Sequence, residues 1–407
     1  MCPDTPTFQV VVSDDSTLAR TGLLATRRGV VHTPGFMPVG TQATVKALDP
    51  REVRETGAEI VLANTYHLML RPGIDVITAA GGLHRFMAWD GPILTDSGGF
   101  QIYSLAHRRK VEEAGVTFRS HIDGSSHVLT PELAVDLQLG FQSDVIMPLD
   151  DVVGYEVDAR RQRDAVERTH RWLARAVARF HQETAGLPGS RPLLFGITQG
   201  GFDAANRRSS ARAVAASGVD GFAIGGLSVG EPKDVMAAML AASIEPLPSE
   251  RVRYLMGVGS PEDLWRGVAA GVDLFDCVHP TRIARRGALF TPEGRINLRN
   301  ARFRSCFDPP DPTCDCSTCR TFSAAYLHHL FHARELLAYR LASIHNLRFM
   351  QRQMEAIRAS IVNGRFETEM REFLSRYRTA DLAAAERERR SLLARRSGDT
   401  GLAGIGS

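Results

Sequence analysis

The sequence predicts an α/β chain: a (β/α)8 TIM-type barrel with an N-terminal antiparallel sheet and a C-terminal cysteine-bearing helical subdomain. Three observations carry this. Short β-branched apolar segments recur, and each leads through polar or glycine residues into a stretch of helical period, the mark of repeated β-α units. The residues closing those segments are polar or glycine, which favours a barrel, whose strand ends converge on one mouth, over a doubly wound open sheet. The chain has 407 residues, 43% of them hydrophobic and 23% charged, enough for a barrel with insertions and a large buried core.

Taken in order, residues 8–39 alternate apolar and polar side chains around a turn at Arg27-Arg28-Gly29 and read as a small antiparallel cap. Barrel strands are predicted at 59–62, 93–94, 144–147, 193–197, 221–224, 252–255 and 272–275, with helices filling the intervals. Helix starts are marked where an oxygen acceptor precedes a proline: Asp49-Pro50, Thr130-Pro131 and Ser260-Pro261, the last also fitting a capping box through Asp263. Residues 160–181 read as the longest amphipathic helix, ended by Gly186-Leu187-Pro188-Gly189. The strand ends carry Asn64-Thr65, Asp96-Ser97, Asp150-Asp151, Gln199-Gly200, Gly225-Gly226, Gly257 and Asp276, seven polar ends for one mouth. Beyond Ala301, Pro309, Pro310 and Pro312 lead into a cysteine cluster and then helices. The expected division is therefore 1–300 for the cap and catalytic barrel, 301–397 for the helical subdomain and 398–407 for a flexible glycine-rich tail.

Composition narrows the function classes. No apolar run reaches the roughly 20 residues that span a bilayer, and the start lacks a basic-then-apolar leader, so a cytoplasmic protein with no membrane partner is expected. The net charge of +3 does not announce a polyanion partner, although 46 of the 49 basic residues are arginine, which suits bidentate phosphate contacts. No glycine-rich loop bearing a lysine and no dinucleotide fingerprint follows a strand, so nucleotide-fuelled chemistry has no motif here.

Cys314, Cys316 and Cys319 crowd three thiols into one loop, while Cys2, Cys277 and Cys306 stand apart. This suits a metal site in a reducing compartment better than a disulfide framework. Soft thiolates in tetrahedral array favour zinc, and a fourth protein ligand makes the ion structural. His345, on a downstream helical segment that could fold back over the loop, is the best candidate for the fourth ligand, with His328, His329 and His332 as rivals by spacing alone.

Asp96, within Thr95-Asp96-Ser97-Gly98-Gly99-Phe100-Gln101, puts an acid at a strand end beside two glycines that permit close backbone approach and an aromatic ring that can stack. Asp276 puts a second acid at another strand end, ahead of a basic run at Arg282, Arg285 and Arg286. Two facing carboxylates suit glycosyl chemistry, one attacking the anomeric carbon and the other moving protons for the leaving group. Asp150 and Gln199 suit a guanine-like base, the carboxylate accepting from N1 and the exocyclic amine and the amide or a backbone N–H donating to O6. A rival is Gly226-Leu227-Ser228-Val229-Gly230, which matches the G-x-S-x-G elbow of serine hydrolases but leaves the acids and cysteines unused.

Together these segments, with Gly196 to Gly201, Gly221 to Glu231 and Phe275 to Arg285, resemble in order and spacing the tRNA-guanine transglycosylase (queuine tRNA-ribosyltransferase) family of bacterial type, over residues 8–375. The resemblance implies exchange of guanine 34, the wobble base of G-U-N anticodon tRNAs (Asp, Asn, His, Tyr), for the 7-deazaguanine preQ1 through a covalent enzyme–RNA intermediate, with queuine as the alternative base. By it, Asp276 is the nucleophile and Asp96 the general acid/base. Ser97, Asp150, Gln199, Gly225, Gly226 and Leu227 hold the base between Phe100 and Met256. RNA is contacted by Gly257, Val258, Gly259, Ser260, Pro261, Glu262 and Asp263, and by Thr281, Arg282, Ile283, Ala284 and Arg285. Zinc is held by Cys314, Cys316, Cys319 and His345, and the enzyme is a homodimer. Asp150-Asp151-Val152 is more like eukaryotic queuine-inserting enzymes, whereas Val229 is similar to the bacterial ones; Phe100 stands for a frequent tyrosine. A silent partner subunit with this fold is the non-enzymatic alternative, against which the presence of both Asp96 and Asp276 argues.

Overall fold

The computed structural model describes residues 7–105, 108–155, 157–187 and 190–378. The expected turn residues Pro188-Gly189, the helical continuation at 379–397 and the tail at 398–407 lie outside them. Strands β1 (Phe8–Ser13), β2 (Arg20–Thr26) and β3 (Gly29–Thr33) form the antiparallel cap, with Arg27-Arg28 as the two-residue turn of the second hairpin. The barrel strands are β4 (Gly35–Met37), β5 (Val61–Ala63), β6 (Ile93–Thr95), then, after an excursion sheet of β7 (Arg109–Glu112), β8 (Gly115–Arg119) and β9 (Ser126–Leu129), β10 (Val145–Ile146), β11 (Leu193–Thr198), β12 (Gly221–Ile224), β13 (Val252–Leu255) and β14 (Leu274–Asp276). All neighbouring barrel strands pair in parallel, β14 pairs with β4, and a Val39–Leu62 bridge joins β4 to β5 and closes the ring. A last hairpin, β15 (Ala288–Thr291) and β16 (Gly294–Asn297), precedes the cysteine loop.

Two expectations needed correction. The end of the run expected in the cap is the eighth barrel strand, β4: only Pro34 separates it from β3, and proline has no N–H to continue the antiparallel ladder, so the chain leaves one sheet and enters the other there. The intervals also hold more than helix, since three short, turn-rich strands intervene between β6 and the helix Pro131–Gly140. The helix Ala159–Thr184 forms close to its expected bounds with 26 residues, and Leu336–Val362 exceeds it with 27. The three caps are present, Asp49 with a complete capping box and Thr130 and Ser260 each accepting from the N–H three residues on.

A buried ion pair and a pair of arginine–carbonyl hydrogen bonds fix the cap to one end of the barrel. Arg20 forks onto Asp273, immediately before β14, at 2.9 and 2.6 Å, and Arg27 donates to the carbonyls of Gln142 and Ser143, just before β10. Phe8, Leu24 and Val31 of the cap share one apolar cluster with Leu94, Val145, Phe195, Tyr254 and Leu274 inside the barrel. The N-terminal ends of the strands are thus plugged, and the C-terminal ends form the mouth. The segment after residue 301 shares the barrel's outer core: Met350, Met354 and Ile357 of Leu336–Val362 belong to the same cluster as Phe36 and Phe275, and Gln351 donates to the Phe36 carbonyl at 3.0 Å. Among the described residues no helix is long and apolar enough to cross a membrane.

Candidate active site

Strand periodicity decides what the mouth contains. Successive strand side chains point to opposite faces. Thr95 points outward, donating to Gln138 of the helix Pro131–Gly140 at 3.0 Å, so Leu94 and Asp96 point inward. The same alternation carries Ile197 to Gln199, Ala223 to Gly225, Tyr254 to Met256 and Leu274 to Asp276. Each inward row is apolar at depth and polar or small at the rim, except that of β13, which carries Met256 there.

Asp96 is held by four donors: Thr65 N–H at 3.0 Å and Gly98 N–H at 3.2 Å on one oxygen, Asn64 Nδ2 at 2.5 Å and Gln101 Nε2 at 2.8 Å on the other. Burial pushes its pKa up to about 6; the Asn64, Thr65 and Gln101 hydrogen bonds oppose the rise, and the charge of Asp276 adds to it. Near neutrality such a group can both give and take a proton. Asp276 accepts from Tyr254 Oη at 2.6 Å and Gly257 N–H at 2.7 Å, both on Oδ1. Burial raises its pKa against those two hydrogen bonds, and among the described residues no donor meets Oδ2. Tyr254 escaped the sequence reading; it lies two residues before Met256 on the same inward row, and that parity is the signal that finds it.

Asp150 follows β10 and accepts from Ser97 Oγ at 3.2 Å and Gln199 Nε2 at 2.7 Å. Burial lifts it to about 6, the Gln199 and Ser97 bonds pulling down and neighbouring Asp151 pushing up. Asp151 itself is committed to structure, forked by Arg161 at 2.8 and 2.6 Å and bound by Arg168 at 2.5 Å. Among the described residues no guanidinium pairs with Asp96, Asp150 or Asp276. Gly98 and Gly99 approach protein rather than open space: a Cβ on Gly99 would stand 2.8 Å from Asp150 Oδ1, and one on Gly98 3.2 Å from Tyr66 N. The glycines thereby bring the Asp96 loop against the Asp150 strand end.

Gly225 and Gly226 follow β12 beside Gln199, whose buried Oε1 meets no donor among the described residues. Gly226 has φ +67, and a Cβ there would fall 2.3 Å from that Oε1. Leu227 is buried in the core, so only its backbone can face the mouth. Phe100, 48% exposed, follows the third strand of the ring, and half-buried Met256 ends the seventh, on the opposite side. Of the proposed RNA segments, Gly257 and Arg282 are exposed and Ser260, Glu262 and Arg285 half-buried. Val258, Gly259, Pro261, Asp263, Thr281, Ile283 and Ala284 are buried and shape the rim, Asp263 through an ion pair with Lys233.

The cysteine loop closes on His345. The ligand atoms of Cys314, Cys316, Cys319 and His345 all lie within 4.8 Å of one another and all four residues are buried, an arrangement that could hold a metal ion. His345 Nε2 lies 2.7 Å from the Phe290 carbonyl, which fixes the tautomer and leaves Nδ1, 3.2 Å from Cys319 Sγ, as the ligand atom. The rivals are placed elsewhere: His328 and His332 meet the carbonyls of Leu298 and Arg299, and His329 is exposed.

The mouth of the barrel thus gathers two buried carboxylates that form no ion pair among the described residues, and a third acid beside an amide, a set that suits glycosyl transfer. The family model for queuine tRNA-ribosyltransferase matches residues 14–379. Similar curated proteins include the queuine tRNA-ribosyltransferases of Herpetosiphon aurantiacus, 52% identical over 92% of this chain and 94% of that one, and of Symbiobacterium thermophilum, 51% identical over 94% of each. That of Dictyoglomus turgidum is 49% identical over 91% of this chain and 94% of its own. The chain belongs to the queuine tRNA-ribosyltransferase family of tRNA-guanine transglycosylases, which are pentosyltransferases. The serine-hydrolase reading of Gly226 to Gly230 falls with that assignment; Ser228 is exposed, and its N–H is taken by Glu231.

Proposed function

We propose that this enzyme exchanges guanine 34 of G-U-N anticodon tRNAs for preQ1 by double displacement. The observation that carries the reading is the pair Asp96 and Asp276 on inward rows of one mouth, both raised by burial and, among the described residues, neither in an ion pair. Asp276 Oδ2 attacks ribose C1′ as the C1′–N9 bond breaks, forming a glycosyl ester, and Asp96 gives its proton to the departing guanine. The incoming base loses its N9 proton to Asp96, attacks C1′ and releases Asp276. No water or nucleotide enters the balance.

The wobble nucleotide is turned out of its stack to reach this depth. Asp150 accepts from N1–H and the exocyclic amine, Ser97 and Gln199 orient it, Gly225, Gly226 and Leu227 present backbone to O6, and Phe100 and Met256 cover the two faces. Arg282 and Arg285, with the Gly257 to Asp263 turn, face the anticodon backbone. The favoured base is preQ1, since Val229 is similar to the bacterial enzymes, where the eukaryotic ones carry glycine and gain room for the bulkier substituent of queuine; Val152 supports the queuine alternative. Zinc suits the three thiolates and one imidazole, and with all four positions taken its role is structural. Reduced thiols in that set support a cytoplasmic setting, and the family resemblance supports a homodimer. A silent partner subunit is disfavoured by the intact pair of acids.

The test is incorporation of labelled guanine, preQ1 and queuine into G-U-N tRNA, with guanine 34 replaced as control. Exchange that depends on guanine 34 and ranks preQ1 above queuine supports the proposal. No exchange with any base overturns it.

A further inference from the structure

Arg207 lies on the helix Ala204–Ala215, outside the barrel, yet it is fully buried, and among the described residues no carboxylate lies within hydrogen-bond reach of it. Instead Nε donates to the Gly201 carbonyl at 2.8 Å, Nη1 to Gly225 at 2.7 Å and Nη2 to Gly226 at 3.1 Å. Burial pulls its pKa down to about 9, which still leaves it charged at neutral pH; the one charge that opposes the fall is Glu231. A buried guanidinium spent on three neutral carbonyls is costly unless their placement matters.

In a trans peptide the C=O of one residue and the N–H of the next point in opposite directions. Arg207 draws the Gly225 and Gly226 carbonyls outward, so the N–H groups of Gly226 and Leu227 are turned inward, toward the mouth and Gln199. Neither N–H meets an acceptor among the described residues. The backbone can approach so closely because Gly200, at φ +144, has no Cβ; one there would stand 2.7 Å from Arg207 N.

We infer that Arg207 is a positioning residue for base recognition: by clamping the Gly225 and Gly226 carbonyls it aims two backbone N–H donors at the six-position oxygen of a guanine-type base. The inference rests on the proposed base exchange and assigns to one side chain the orientation on which discrimination at that oxygen depends. Preorganised donors of this kind select strongly for the acceptor they were set to meet.

The test compares binding of guanine and 6-thioguanine to the full-length wild type and to Arg207→Lys, with thermal melting and tRNA affinity measured alongside. The two bases offer the same donors to Asp150 and differ only in the acceptor at position six. Lysine keeps the charge but cannot span both peptide planes. The expected result is that the preference for guanine over 6-thioguanine falls about fivefold or more, the scale of one weakened hydrogen bond, while tRNA affinity holds. Equal loss for both bases would show a merely structural role and overturn the inference, as would an unchanged preference. If Arg207→Lys melts early, the same preference in Arg207→Gln decides. A wild type that binds neither base would instead sink the base-exchange reading.

Discussion

Asp150→Asn removes one negative charge from the mouth and changes little else. The carboxylate is buried, accepts from Ser97 and Gln199, and has lone pairs left for two donors of a guanine edge. An asparagine of the same shape offers one oxygen and one NH2, so an N–H of the base meets another N–H. The loss of one charge-assisted hydrogen bond is about 1.5–3 kcal/mol, which at about 1.4 kcal/mol per decade is about 10- to 150-fold in affinity. Because burial already disfavours the charge, the neutral variant should melt no lower than wild type. Steady-state exchange of labelled guanine at saturating tRNA measures this: the KM for guanine should rise by that factor with kcat changed far less. A guanine KM within about threefold of wild type would remove Asp150 from base recognition, since a buried hydrogen bond to charge cannot be worth so little.

Activity should decline in acid below about pH 6, because Asp150 is raised to about 6 and must be ionised to accept from the base, and Asp276, also raised, must be ionised to attack. A pH profile of kcat/KM checks it, and Asp150→Asn should shift the limb. His345→Ala should release the metal, measured as metal content per chain, and lower stability on the order of 4 kcal/mol, the scale of losing a metal site; urea unfolding reads it.

Much of the mouth was legible because strand parity and strand-end chemistry are written locally. Asp96, Gln199 and Asp276 each sit two residues beyond an inward apolar residue, and the three caps announce their helices. Long-range events were not legible. β4 hides behind one proline at the end of an alternating run. The packing of Leu336–Val362 on β4 depends on Gln351 reaching the Phe36 carbonyl, 315 residues away. Arg207 looked like any helix arginine, since its burial is set by the approach of two glycine turns rather than by its own neighbours in sequence.

The central claim is that Asp276 carries the tRNA ribose between two bases. The most direct measurement is to mix enzyme with guanine-34 tRNA, quench in denaturant, and look for an enzyme–RNA adduct by gel and by mass spectrometry of the digested peptide. The account expects an adduct on the peptide containing Asp276, absent in Asp276→Asn although that variant still binds tRNA. An adduct that persists in Asp276→Asn, or that maps to another residue, would contradict it.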